Sequence, residues 1–180
     1  MYPRSSFGIA SLALFLLCIP FANWMIGNVG TVCVPSGPCL VPVAPGVMAP
    51  SGVLMVGLAL VLRDIVQRLL GGAWSLGAIF VGAILSFWFA PPSLVIASGV
   101  AFLLSELADF GVYTPLQQRR LLLAVVASSV VGLFIDSAVF LLLAFGSLEY
   151  LPGQVIGKMW ALVVAYPLVQ LVRRITAVAA

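Results

Sequence analysis

The chain has 180 residues, of which 63% are hydrophobic and 7% charged, with no histidine and a net charge of +3; its mean hydropathy is +1.26 and its pI about 9.0. Eight basic and five acidic side chains are too few to solvate a globule of this size, so a soluble domain is excluded. The whole of 1–180 reads as a single integral membrane domain, with its basic residues acting as topology signals rather than as a nucleic-acid patch.

Residues 7–26 carry no charge and, at a rise of ~1.5 Å per residue, are long enough to cross a hydrocarbon core of ~30 Å. They predict the first helix rather than a cleaved signal peptide, because Leu16 and Leu17 stand where cleavage before Cys18 needs small residues. The stretch 27–50 differs in kind, with no charge, five prolines and the pattern CVPSGPC from Cys33 to Cys39. It predicts a non-helical outer connector, in which Cys33 and Cys39 are either a disulfide or two unpaired small hydrophobes.

A second helix is predicted over 51–70, apolar until Arg63, Asp64 and Arg68, and closed by Gly71 and Gly72. The third, 72–90, has no charge and stops at Pro91 and Pro92. The fourth, 93–116, carries SELADFGVY, whose i, i+3 and i+7 spacing puts Glu106, Asp109 and Tyr113 on one face. The fifth, 121–145, contains Asp136, and the sixth, 153–172, contains Gln154, Lys158 and Pro167. The fold class expected is therefore an all-α bundle of six transmembrane helices.

Six spans sort the arginines. With the N-terminus inside, Arg4, Arg68, Arg119, Arg120, Arg173 and Arg174 all fall on one side and the outer loops hold no Lys or Arg, which predicts that both termini are cytoplasmic. Counting ~1.5 Å per residue from the outer helix ends, Arg63, Asp64, Glu106 and Asp109 share a layer in the inner half of the membrane. Asp136 and Lys158 form a second layer of opposite charges closer to the outer surface, with Gln154 one turn above Lys158. Arg63 and Arg68 are expected to snorkel to the headgroups. Glu106, Asp109, Asp136 and Lys158 at such depth cost at least ~2.5 kcal/mol each, and small residues alone can hold a bundle together, so these four predict a polar cavity.

Catalysis is not expected. Without histidine there is no Ser–His pair and no His-ligated metal. The two aspartates Asp109 and Asp136 lie in layers ~10 Å apart by the helical rise, and no phosphate-binding glycine loop occurs. The sequence predicts no enzyme, no cofactor and no metal site.

Four blocks, LVLRDIVQRLLG (60–71), FLLSELADFGVY (102–113), SSVVGLFIDSAVF (128–140) and GKMWALVVAYPLV (157–169), resemble those of the vitamin uptake transporter (VUT) family, the queuosine-precursor transporters. The matching positions are Asp64 with Arg68, Glu106 with Asp109, Gly132 with Asp136 and Ser137, and Lys158 with Pro167, while Asn23 in FANW resembles the family's helix-one asparagine. The chain departs from the family at Glu106, where many members carry Gln, and at Leu133, where many carry Asn.

The resemblance implies an inner-membrane importer of 7-deazaguanine precursors of queuosine (cyano- or aminomethyl-deazaguanine, or a queuine-like base), used in tRNA modification. It also implies a fold like the substrate-capture subunits of energy-coupling-factor systems. A guanine-like edge presents neighbouring N–H donors that one carboxylate accepts as a pair, and its carbonyl takes a donor such as Lys158 or Gln154. The substrate-binding set is accordingly Asn23, Glu106, Asp109, Tyr113, Asp136, Lys158, Gln154 and Phe140, with Trp24 and Trp160 as further stacking candidates. Asp64, Arg68 and Arg63 are expected as structural ion pairs. The partners expected are a purine-like small molecule and the lipid bilayer, with a homodimer left open. The alternatives are a capture subunit that needs a separate energising complex and a structural subunit of a membrane assembly.

Overall fold

In the computed structural model, residues 3–35 and 37–177 are described, without the side chains of 3–5 and 177; the side chain of Arg4, one of the expected topology signals, therefore lies outside the description. The elements run α1 (Pro3–Asn28), β1 (Val32–Cys33), β2 (Cys39–Ala44), β3 (Val47–Pro50), α2 (Val53–Leu70), α3 (Gly72–Phe89), α4 (Val95–Leu116), α5 (Leu121–Phe145) and α6 (Leu151–Ala177). The predicted helices are all present; α5 keeps its predicted bounds and the others have one or both ends shifted. The helices α2 and α4 each begin two residues later than expected, after turns at Ser51–Gly52 and before Val95, whereas α1 and α6 run beyond both predicted limits.

Local chemistry accounts for the stops. The chain leaves α2 through Gly71, whose φ of +102° suits only a residue without Cβ. The next helix ends at Ala90 because Pro91 and Pro92 cannot continue the hydrogen-bond ladder.

Five of the helices, all but α2, are long and apolar enough to cross a membrane. The exception carries Arg63, Asp64 and Arg68, and its position explains how it can. It packs against α1, α3, α4, α5 and α6, and most of its side chains are buried. The other helices shield its charges from lipid. At the opposite extreme, α3 turns Trp74, Phe80, Ile84 and Trp88 outward, as a lipid-facing helix does. Phe15, Ile79 and Phe102 anchor one core between α1, α3 and α4, and Val61, Ile65, Tyr113 and Val169 another between α2, α4, α5 and α6.

The connector contains structure that the all-α expectation omits. Strands β1, β2 and β3 form an antiparallel sheet in that order, with Val32 opposite Leu40 and Leu40 opposite Pro50. Valines at 32, 41, 43 and 47 supply β-branched side chains, and Cys33 is bonded to Cys39. The sheet is docked rather than loose. Trp160 Nε1 donates to the Val43 carbonyl at 3.1 Å, and Ser51 Oγ donates to the Met25 carbonyl at 2.7 Å.

Candidate functional site

Two polar clusters lie inside the bundle, and one cavity touches both. The first is built on Arg63, which is fully buried. Its Nε donates to Glu106 Oε2 at 3.1 Å and its Nη1 to Gln67 Oε1 at 3.0 Å. Its Nη2 ion-pairs with Asp64 Oδ1 at 2.9 Å and also with Asp109 Oδ1. Ser128 Oγ donates to Asp64 Oδ2 at 3.0 Å, and the Tyr113 ring lies 5.6 Å from the guanidinium carbon, within cation–π range. One cation thus meets three carboxylates from α2 and α4, which the i, i+3 spacing of Glu106 and Asp109 turns towards α2.

The second cluster joins α5 to α6. The buried Lys158 ammonium donates to Asp136 Oδ2 at 2.6 Å, Ser137 Oγ at 2.6 Å and Gln154 Oε1 at 2.7 Å. Three acceptors for three N–H bonds leave it fully satisfied, which is the condition under which a buried ammonium is tolerated.

The cavity, about 70 Å³, lies between α1, α2, α3, α4, α5 and α6, with Pro50 and Gly52 at the foot of the sheet on its wall. Its polar lining includes Asn23, Glu106, Asp136 and Gln154, and its aromatic lining Phe102 and Phe140. Asn23 Nδ2 donates one N–H to the Ile19 carbonyl at 3.0 Å, which leaves its carbonyl oxygen and its second N–H for a ligand.

Of the eight expected substrate residues, the structure brings Asn23, Glu106, Asp136, Gln154 and Phe140 to the cavity wall and leaves Asp109, Tyr113 and Lys158 behind it. Asp109 is turned to Arg63, Tyr113 lies beneath that guanidinium, and Lys158 is consumed by its three acceptors. Several expectations are corrected. Arg63 does not snorkel, because three carboxylates hold it in the interior. Arg68 does not pair with Asp64; its Nη1 donates to the Gln117 carbonyl at 3.2 Å, nearer the helix end. Trp24 and Trp160 are each about half exposed on the bundle surface, so neither stacks on a ligand in the cavity. Residues that sequence reasoning missed are Gln67, which completes the Arg63 shell, and Ser86, Ser98 and Phe102 on the cavity wall. Gln67 lies one helical turn after Arg63 on the same face, a spacing that could have flagged it.

Residues 90–176 match the model of a family described as "Putative vitamin uptake transporter". The match takes in α4, α5 and nearly all of α6, and with them Glu106, Asp109, Asp136, Gln154 and Lys158. It supports, together with the apolar helices, a multi-pass membrane transporter of the vitamin-uptake type. No curated protein and no solved structure matches the chain.

Proposed function

We propose that the chain imports a flat, donor-rich heterocycle of the 7-deazaguanine type across the cytoplasmic membrane, as a six-span bundle of the energy-coupling-factor capture-subunit kind with both termini inside. The observation that carries this reading is the pairing of two carboxylates, Glu106 and Asp136, with two aromatic rings in one cavity. Glu106 commits Oε2 to Arg63 and Asp136 commits Oδ2 to Lys158. Each keeps its other oxygen for a ligand, and each stays next to a cation that compensates its charge.

A guanine-like edge offers adjacent ring N–H and amino donors, which suits a carboxylate acceptor, while Gln154 Nε2 serves the ring carbonyl. Phe102 and Phe140 supply flat apolar faces. Glu106, rather than Asp109, is the carboxylate that reads the base edge, since Asp109 lies outside the lining. Charged groups turned inward around a cavity favour transport over a structural subunit, whose polar side chains would face a partner.

The test is uptake of radiolabelled cyano- and aminomethyl-deazaguanine into cells that lack their own synthesis pathway and express this chain. Accumulation in tRNA above that of cells carrying an empty vector supports the reading; equal labelling rejects it.

A further inference from the structure

The Arg63 cluster is not balanced. Asp64, Glu106 and Asp109 all contact one guanidinium, so full ionisation leaves two net negative charges among groups that are 0–1% exposed. A second, independent feature points to what is missing. The Tyr113 hydroxyl, buried on the same face of α4, has no hydrogen-bond partner among the described residues. Asp109 Oδ1 meets the same Nη2 that serves Asp64. Two carboxylates converging on one nitrogen in a dry interior cannot both keep their charge at low cost.

We propose that this cluster is a proton-binding site, in which Asp64 and Asp109 share one proton, and that the proton moves with the substrate through Glu106. The second half rests on the base-transport reading above; the first does not. Glu106 is the joint, because one oxygen is held by Arg63 while the residue lines the cavity. With a proton on the Asp64–Asp109 pair, the charge of Arg63 is free to compensate an ionised Glu106, which then accepts the base's N–H donors. With the pair unprotonated, one cation is divided among three carboxylates and the surplus charge is relieved by protonating Glu106, whose O–H then stands where the base needs an acceptor. Proton and base therefore bind with positive cooperativity. Per cycle one proton enters from the outer side onto a carboxylate oxygen, one base binds, and both leave to the inside, so an O–H bond forms and breaks and nothing is oxidised.

The groups that face Asp109 define the expected titration. Helix α2 brings Arg63 and Asp64, with Arg68 farther along, α4 itself brings Glu106 and Tyr113, and α5 brings Ser128. The Asp136–Lys158 pair from α5 and α6 lies beyond, across the cavity wall. Helix α1 offers only the Cys18 thiol at that wall, and α3 has no titratable side chain.

The experiment uses the full chain in lipid vesicles and has two readouts. The infrared carbonyl band of a buried neutral carboxyl is expected in the wild type at neutral pH, lost on alkalinisation, and absent from Asp109→Asn or, should that variant fail to fold, from Asp64→Asn. No such band in the wild type, or its persistence in the variant, overturns the proton site. For coupling, an acid-outside gradient of one pH unit sustains up to about ten-fold accumulation of labelled aminomethyl-deazaguanine at one proton per base. A steady-state ratio that stays at one in the wild type, while base still exchanges, overturns the coupling. If no base exchanges at all, the base reading fails and the infrared band alone decides the proton site.

Discussion

The Lys158 ammonium lies 2.6 Å from Asp136 Oδ2, with its remaining N–H bonds on Ser137 and Gln154, so the charge that joins α5 to α6 has no spare donor. Replacing Lys158 by Ala leaves Asp136 as an uncompensated acid at the cavity wall. Breaking a buried pair from one side costs about 3–5 kcal/mol. The variant is expected to unfold at markedly lower temperature in detergent, and the double variant Lys158→Met with Asp136→Asn to recover much of the loss. Equal melting of all three forms would show that the pair does not hold these helices.

Glu106 and Tyr113 share a face of α4 yet stand differently to the cavity, one lining it and the other beneath Arg63. Glu106→Gln keeps the shape and an acceptor for Arg63 but removes the charge that strengthens the bond to the base. Hydrogen bonds to charged groups contribute about 1.5–3 kcal/mol, so the apparent affinity for a deazaguanine is expected to fall roughly ten-fold or more. Tyr113→Phe, which deletes an unpartnered hydroxyl, is expected to leave that affinity within about two-fold. Saturation curves for initial uptake measure both, and the reverse order of effects would exchange the two roles.

These contrasts show what the sequence carried and where it stopped. Charged residues in apolar runs announce themselves, so Glu106, Asp109, Asp136 and Lys158 were readable one by one, and depth counting put Arg63 level with Glu106. The rotation of each helix was not readable. Successive side chains turn by ~100°, so whether Glu106 or Asp109 meets the cavity depends on how α4 is seated against α2 and α5, which no local pattern specifies. Arg63 was misjudged because a long side chain near a helix end usually reaches the headgroups. Three acids arriving from two helices keep it inside. The sheet at 32–50 was hidden by its prolines, although Pro42 and Pro50 are accommodated at the irregular and terminal positions of their strands.

The orientation can be checked without any substrate. In a background with all three cysteines replaced by Ser, Ser147→Cys between α5 and α6 and Gln118→Cys between α4 and α5 introduce thiols at exposed positions. With both termini inside, an impermeant maleimide labels position 147 in intact cells and position 118 only after permeabilisation. Labelling in the opposite order would invert the topology and move the sheet to the cytoplasmic side.

The sheet adds Pro50 to the cavity wall, and a single glycine seats it. A Cβ at residue 153 would overlap the Met48 carbonyl oxygen and come within 3.3 Å of the Ala49 side chain, and backbone cannot yield as a flexible side chain can. Gly153→Ala is therefore expected to lift β3 from α6, while α6 itself gains slightly from alanine's higher helix propensity. The two effects oppose each other, and overpacking, at about 1–3 kcal/mol, outweighs a propensity gain of about 1 kcal/mol. Limited proteolysis at the 44–47 turn, followed in vesicles, is expected to speed up several-fold in the variant. The Cys33–Cys39 bond pins β1 to β2 but crosses no helix, so Cys33→Ser with Cys39→Ser is expected to speed it less. If the glycine variant is cut no faster than the wild type, the sheet is not held at this contact, and the Trp160 hydrogen bond to Val43 becomes the one to remove next.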